Sequence, residues 1–317
     1  RDPPNDLEVV SMKERLLLVA LIGAAAVAIV IVPRYSPKAA AESDARVDAR
    51  LVSADNTFGI KLFRELVSAG KGENVFISPA SVAMALAMTY NGASGGTKEA
   101  MARALELKGM SLEQINKANS ALLANFEGPG PGVELSVANS LWARKGAEFR
   151  ADFLSRNDEF YRAEARALGF ASPDALDIIN GWVREKTNGR IDNIIKEISN
   201  ETMMFLINAV YFKGTWQEQF DKARTRDGEF TLSDGTKKTV PMMSRHGDLQ
   251  VLIEPGFQAV MLPYGKGRLA MYIFLPDRDS SLEAFHKALT PANWQKWMAG
   301  FHEVEGDLVM PRFRLEY

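Results

Sequence analysis

The stretch from Met203 to Trp216, MMFLINAVYFKGTW, carries the clearest structural signal in the chain. Its first ten residues are apolar except for Asn208, which is the pattern of a central β-strand buried on both faces. A buried amide without a hydrogen-bond partner costs ~1–3 kcal/mol, so this strand predicts a polar partner for Asn208 elsewhere in the fold.

A second informative stretch lies upstream at Asn74–Leu86, NVFISPASVAMAL. Its first four residues fit a short strand, and the Ser-Pro pair that follows is a helix start with Ser78 at the N-cap. The predicted helix runs to Tyr90 and is apolar nearly all round, so it should be buried.

The order of the predicted elements indicates an α+β fold. Helical patterns dominate the earlier part of the globular region, as at 55–67 and 112–126, whereas strand patterns dominate residues 229–276. Helices that precede the strands instead of alternating with them argue against regular βαβ units. We expect one α+β domain over residues 51–317.

The first fifty residues have a different character. Residues 1–15 are a polar segment, residues 16–32 form an apolar run that follows Lys13 and Arg15, and residues 33–50 read as an Ala-rich, charged linker. A membrane-spanning helix needs about 17–25 apolar residues and a signal-peptide core about 7–15, so the run fits a hydrophobic transmembrane anchor or a cleaved signal. Both readings predict an exported protein, either extracellular or held to the membrane through residues 16–32.

Composition excludes several kinds of site. Lys and Arg number 38 against 40 Asp and Glu, so the chain lacks the basic excess typical of nucleic-acid binding. There is no cysteine, and the three histidines stand apart from one another, which leaves no recognisable metal-binding motif. No phosphate-binding or dinucleotide-binding motif occurs either, and we expect neither a cofactor nor a metal.

Two serine motifs are formally compatible with hydrolysis. Gly92–Gly96, GASGG, matches the nucleophile motif G-x-S-x-G with Ser94, but a predicted helix precedes it where that motif needs a strand. Ser68–Lys71 matches S-x-x-K, but it lies at a helix end and its partner motifs are missing. A hydrolase that uses Ser94 is kept as an alternative, and we expect a protein that is not an enzyme.

Three stretches resemble the serpin family of serine protease inhibitors. They are the two quoted above and the pair INGWV at 179–183 with TNGRI at 187–191. Weaker matches, VPMM at 240–243 and FLPD at 274–277, follow in the family's order. The resemblance implies three β-sheets and about eight or nine helices, preceded here by the hydrophobic N-terminal helix.

The same resemblance implies a mechanism and four site residues. Serpins are suicide inhibitors of serine, and sometimes cysteine, proteases, in which a cleaved reactive loop inserts as a new strand into the central sheet. Ser78, Ser81 and Asn208 match the polar cluster that controls opening of that sheet, called the shutter. The resemblance thus implies that the hydroxyl groups of Ser78 and Ser81 are candidate hydrogen-bond partners for Asn208. Trp216 matches the tryptophan at the top of the sheet where the loop first inserts, called the breach. A purely structural role stays open for each: an N-cap for Ser78, a helix position for Ser81 and core packing for Trp216.

The family pattern continues past the last strand of this sequence. The resemblance places the hinge, the reactive loop and the final core strands beyond it, so we expect a domain incomplete at its C-terminus, which on its own inhibits no protease. A non-inhibitory serpin that acts as a binding or chaperone-like module is therefore a second alternative. Heparin-like polyanions are not expected as partners, because the helix at 112–126 has one basic residue, Lys117, against Glu113.

Overall fold

The computed structural model describes residues 47–70, 74–232 and 235–313, together with the backbone of two short N-terminal strands. These strands are β1, Leu16–Val19, and β2, Val32–Pro33. The first four residues of the predicted hydrophobic helix are thus extended and pair with Gly306–Val309, whereas residues 20–31 of that prediction lie outside the described residues. Within the part of the chain that is described, no helix is both long and apolar enough to cross a membrane.

Helices form the first third of the domain. They are α1, Ala49–Ala69; α2, Pro79–Tyr90; α3, Gly95–Ala104; and α4, Leu112–Glu127. The side chain of Asp48 caps α1 by accepting a hydrogen bond from the Arg50 amide, and a capping box between Ser111 and Gln114 starts α4. Because Val47 packs against the core, the last residues assigned to the linker belong to the domain.

A small sheet comes next, together with two more helices. Its elements in chain order are β3, Val133–Arg144; α5, Ala151–Tyr161; β4, Glu164–Leu168; α6, Ala175–Lys186; and β5, Met204–Gly214. The strand order is β4-β3-β5, with β4 parallel and β5 antiparallel to β3. The register of β3 with β5 runs from Val133 opposite Gly214 to Ala143 opposite Met204.

The C-terminal half builds a larger sheet. A 3-10 helix at Lys222–Arg224 leads to β6, Arg226–Thr231; β7, Lys237–Glu254; β8, Phe257–Tyr264; β9, Leu269–Pro276; α7, Leu282–Ala288; α8, Pro291–Gly300; and β10, His302–Pro311. The order is β1-β10-β7-β8-β9-β2, and β6 pairs with β7 beside this path. One face of this sheet packs on an aromatic cluster of α7 and α8 that includes Phe285, Trp294 and Trp297.

The α+β class is confirmed, and eight α-helices occur in the described ranges. Hydrogen bonds join the described strands into two sheets where three were expected. The reason is the 18-residue length of β7, which pairs with β6 over its first part, with β10 along its middle and with β8 at its end. One long strand therefore connects strands that would otherwise form separate sheets.

The prediction that the 203–212 run is buried on both faces is wrong. In β5 only Ile207 and Ala209 are fully buried, and the other described positions are mostly half-buried. Ile207 and Ala209 are two residues apart, so their side chains lie on the same face of the strand, where they pack with Trp142 and Trp182. The strand is less buried than expected because, among the described residues, β3 is its only partner strand.

Candidate functional site

An open apolar groove follows the edge of β5 that no described strand covers. It has a volume of about 590 Å³ and lies between α2, the irregular segment 194–197 and the strand itself. Its walls are mainly aliphatic and aromatic side chains, among them Val82, Leu86, Ile194, Phe205 and Leu206. The polar members are Ser81 and Asn208, which are neutral, and Lys196 and Glu197, which are charged. Of the apolar residues, Val82 and Ile194 are substantially exposed.

Ser78 and Ser81 lie together at the start of α2. Ser78 is the N-cap residue and Pro79 follows at the first helical position, as predicted, although the Ser78 side chain makes no capping bond to the helix backbone. Instead, its Oγ lies 2.7 Å from Oγ of Ser81, one turn along the helix. Both hydroxyls are near the groove, and Ser81 lines it.

Asn208 takes its hydrogen bond from a residue that sequence reasoning missed. Its Nδ2 donates to Oδ1 of Asn139 at 2.8 Å and lies 3.4 Å from Sδ of Met84 in α2. The expected bonds from Ser78 or Ser81 to Asn208 are not among the hydrogen bonds of the described residues. A signal for Asn139 did exist, since it is the amide residue of β3 and lies directly opposite Asn208 in the register.

One polar atom of Asn208 has no hydrogen-bond partner among the described residues. Its Oδ1 is buried and accepts no hydrogen bond within the described part of the chain. Asn208 also lines the groove. The middle of β5 thus holds a buried acceptor that has no donor among the described residues.

Trp216 lies beyond the end of β5, about 26 Å along the strand from Asn208 at roughly 3.3 Å per residue. Its ring stacks on Tyr264 of β8, with the centroids 4.4 Å apart and the planes 14° from parallel. Phe220 packs against it edge-on, and a β-bridge joins Trp216 to Tyr264. Burial raises the pKa of the Tyr264 hydroxyl above its usual value, so this stack stays neutral. Trp216 thus links the end of the small sheet to the large one.

Three glycines make this link very close. The Thr215 amide donates to the Gly132 carbonyl and the Thr215 carbonyl accepts from the Gly265 amide, both at 2.8 Å. A Cβ on Gly265 would overlap the carbonyl oxygen of Pro131, and one on Gly214 would overlap the Tyr264 ring. We call this contact of residues 131–132, 214–215 and 264–265 the glycine junction.

The residues considered for catalysis are not arranged for it. Ser94 is the exposed N-cap of α3 and follows the end of α2, so the local structure is helix–turn–helix and not the strand–turn–helix of a nucleophile elbow. His246 lies 2.9 Å from Asp307 on the exposed face of β7 and β10, and His286 packs against Phe63. Among the described residues no three His, Asp or Glu side chains are grouped to hold a metal ion.

The fold and these sites agree with one protein family. The sequence model described as Serpin (serine protease inhibitor) matches residues 53–317, and the chain belongs to this family. The expectation of a non-enzymatic protein agrees with that membership at the level of the family.

Similar proteins come from animals and from an archaeon. The chain is 35% identical over 279 residues to leukocyte elastase inhibitor of Equus caballus, covering 84% of this chain and 73% of that protein. It is 34% identical over 274 residues to Serpin B9 of Homo sapiens, covering 84% and 72%. A serpin-like protein of Thermococcus kodakarensis is 35% identical over 268 residues, covering 84% and 62%.

Solved structures give the same picture. The thermophilic serpin tengpin in its native state superposes with a TM-score of 0.77 at 30% identity, covering 86% of this chain and 69% of that one. Ovalbumin from emu, Dromaius novaehollandiae, superposes with a TM-score of 0.78 at 27% identity, covering 82% and 73%.

Proposed function

We propose that the protein acts in its complete form as a suicide inhibitor of serine proteases, whose cleaved reactive loop inserts as a strand along β5. The observation that carries this proposal is that, among the described residues, no strand pairs with one edge of β5, beside the apolar groove. An inserted strand would hydrogen-bond to that edge and cover the groove in one movement.

The energetics favour such an insertion. A strand of 11 residues points about half of its backbone N–H and C=O groups toward each neighbour. Each hydrogen bond formed contributes about 0.5–1.5 kcal/mol net, and the apolar side chains of the groove add roughly 25 cal/mol per Å² buried. Cleavage of a loop releases the constraint that keeps it away from the sheet, so insertion can drive a large conformational change.

The four residues expected from the resemblance fit different steps of this movement. Trp216 stands at the end of β5, where an inserting strand would first meet the sheet, and its stack on Tyr264 would resist separation there. Ser81 and Asn208 lie farther along, beside the groove. We assign Trp216 to the breach, and Ser78, Ser81 and Asn208 to the shutter, with Asn139 as a further member.

The target is proposed to be a serine protease, with cysteine proteases as a second group. Support comes from relatives such as leukocyte elastase inhibitor, which is named for the protease that it inhibits. The scissile bond, and with it the choice of protease, depends on loop residues that the resemblance places after residue 317.

The test uses the 317-residue chain and the same chain extended through its downstream reading frame. Each is incubated with trypsin-like, chymotrypsin-like and subtilisin-like proteases and run on denaturing gels. We expect an SDS-stable complex, and a higher melting temperature after loop cleavage, from the extended protein only. Cleavage of the extended protein by all three proteases without any complex or any rise in melting temperature would reject the proposal.

We also propose that the protein is exported, with residues 16–32 as an anchor or a removed signal. The support is the apolar run behind Lys13 and Arg15, which is a property of the sequence alone. Fractionation of cells that express the whole protein, with N-terminal sequencing, tests it. An intact N-terminus on protein recovered from the cytosol would contradict export.

A further inference from the structure

Six residues form one connected chain of hydrogen bonds, most of them buried, and one link of the chain ends on a backbone carbonyl. Its members, in order, are Asn208 in β5, Asn139 in β3, Tyr161 at the end of α5, Asn116 in α4, Asn91 just after α2, and Asn157 in α5. All except Asn208 are at most 4% exposed. We call this set the asparagine chain.

The sheet half of the asparagine chain joins β5 and β3 to the end of α5. Asn208 donates to Asn139, and Nδ2 of Asn139 donates to the backbone carbonyl of Tyr161 at 2.8 Å. Tyr161 is the last residue of α5, so its carbonyl is one of those that a helix end leaves without an intrahelical partner. A side chain of the sheet therefore caps the helix.

The helix half returns to the same helix. The hydroxyl of Tyr161 donates to Oδ1 of Asn116 at 3.0 Å, Asn116 donates to Asn91 at 2.8 Å, and Asn91 donates to Asn157 at 2.9 Å. Asn157 is four residues before Tyr161 and so lies on the same face of α5. These buried hydrogen bonds add to the apolar packing that holds α5 against α2 and α4.

The direction of every bond in the chain is the same. In each link an amide Nδ2 or the Tyr161 hydroxyl donates to the next member of the chain. The backbone carbonyl of Tyr161 can only accept, so it fixes the orientation of the Asn139 amide and, through it, that of Asn208. The two unsatisfied atoms are the ones this direction leaves at the ends: within the described residues, Oδ1 of Asn208 lacks a donor and Nδ2 of Asn157 lacks an acceptor. Hydrogen bonds linked in this way polarise one another in a low-dielectric interior, so their contributions are not independent.

Tyr161 is the one residue that belongs to both halves, through its carbonyl and its hydroxyl. We infer that Tyr161 is a positioning residue that couples the hydrogen-bonding state of the Asn208 edge to the seating of α5 on α2 and α4. A strand that pairs with β5 would then change how α5 packs on α2 and α4, although no residue of α5 lines the groove. Only the identity of that strand rests on the function proposed above, and the coupling itself is a property of the described residues.

The first test is native-state hydrogen exchange on the whole protein, without any protease. Asn208→Ala should speed amide exchange in the last turn of α5 at least threefold, and Tyr161→Phe should speed exchange around Asn139 and Asn208 by a similar factor. The control is Asn180→Ala, since Asn180 is also buried, at 5% exposed, but bonds to Ile195 outside the chain. Unchanged α5 exchange in Asn208→Ala, with faster exchange only in β5, would overturn the inference.

The second test is a double-mutant cycle. If each residue had a purely local role, the cycle would show no coupling between the two substitutions. Tyr161→Phe removes a hydroxyl that bonds to Asn116, and Asn208→Ala removes an amide that bonds to Asn139, so uncoupled effects should multiply. We expect the unfolding equilibrium constant of the double variant to differ from the product of the single effects by at least threefold. The control cycle of Tyr161→Phe with Asn180→Ala should agree within a factor of two.

If Tyr161→Phe does not fold, Asn116→Ala cuts the same link from the side of α4 and replaces it in both tests. Multiplicative effects in the Asn208 cycle would refute the coupling. Neither result bears on protease inhibition, since no protease is present. Conversely, if the protein proved not to inhibit proteases, an observed coupling between Tyr161 and Asn208 would still hold.

Discussion

Asn208 shows how one polar side chain in an apolar strand constrains its surroundings. Burial makes a hydrogen-bond partner necessary, and the register of β5 with β3 supplies Asn139 as that partner. The serines proposed for the same role bond to each other at the start of α2. The sequence therefore predicts that Asn208 needs a hydrogen-bond partner, but it does not identify Asn139 as that partner.

Replacement of Asn208 by alanine should destabilise the protein by ~1–3 kcal/mol, because it leaves the buried Oδ1 of Asn139 without its donor. Ser81→Ala is the matched comparison and should cost less, since it removes one bond to the exposed Ser78. Denaturant unfolding measures both, and native gels show whether Asn208→Ala also forms polymers. Equal unfolding midpoints for the two variants would place Asn208 outside any controlling cluster.

Asp55 in α1 should make stability depend on pH. Burial raises its pKa from 3.8 to about 7, so between about pH 4 and pH 7 the folded state binds a proton that the unfolded state has lost. Stability from this residue therefore falls as the pH rises through that window, and the full penalty remains above it. Asp55→Asn should remove the slope and stabilise the protein above pH 7 by at least about 1 kcal/mol.

The control for Asp55 is Asp152, whose pKa the Arg150 guanidinium holds at about 2. Its titration lies below the window, so Asp152→Asn should leave the slope between pH 4 and pH 7 unchanged. Urea unfolding at several pH values measures the slopes. A slope that persists in Asp55→Asn would show that another group is responsible.

At the scale of elements, the glycine junction fixes where the two sheets meet. Backbone hydrogen bonds join the start of β3, the end of β5 and the β8–β9 turn, and the approach is too close for a side chain at Gly265. The aromatic stack of Trp216 on Tyr264 lies directly beside it. This end of the small sheet is therefore held firmly, whereas the edge of β5 farther down faces the open groove.

Gly265→Ala should destabilise the protein by more than Gly130→Ala, by about 1–3 kcal/mol. Both positions have positive φ, +53° and +92°, so both substitutions carry backbone strain. Only at Gly265 would the new methyl group also meet the Pro131 carbonyl, whereas the space around Gly130 is open. Thermal unfolding measures the stability of both variants. Equal losses of stability would show that the glycine junction accommodates the new methyl group without strain.

Helix α4 should not bind heparin-like polyanions. Its one basic residue, Lys117, is exposed and pairs with Glu113 at 2.6 Å, one turn earlier. A single paired charge is screened at physiological ionic strength of about 0.15 M. We expect elution from a heparin column at or below that salt concentration, and a later elution for the double variant Glu113→Lys with Ala124→Lys. Retention of the unmodified protein well above 0.15 M salt would contradict the prediction.

At the scale of the whole molecule, burial is unevenly distributed between the two sheets. Strands β8 and β9 of the large sheet are buried almost throughout, and α7 and α8 cover one of its faces with aromatic side chains. The small sheet keeps one edge of β5 and the groove beside it uncovered within the described residues. Uncovered strand edges pair readily with other chains.

The 317-residue chain should therefore self-associate through this edge. Ile194→Lys replaces an exposed apolar side chain on the groove wall by a charged one and should reduce the association, while Ile253→Lys, at an exposed position on β7, should not. Light scattering and size-exclusion chromatography distinguish these outcomes. A monomeric 317-residue chain would show that the edge is protected in solution.

The sequence by itself determined the kinds of element and the class of fold. Residues 203–216 and 179–191 have local patterns that predict a strand and a helix, and the Ser-Pro pair at 78–79 predicts the start of α2, because these signals act between near neighbours. The short strand predicted at 74–77 is wrong, since these residues form no strand in the structure. The sequence also determined that Asn208, if buried, needs a hydrogen-bond partner.

Only the tertiary structure decided which distant residues meet. The bond from Asn208 to Asn139 spans 69 positions and exists because of a particular strand register, and Tyr161 joins sheet and helices because α5 ends above β3. The half-burial of β5 and the merging of strands through β7 have the same origin. The pattern of apolar residues predicts how much of a segment is buried. Which residues it packs against depends on the packing of the whole chain.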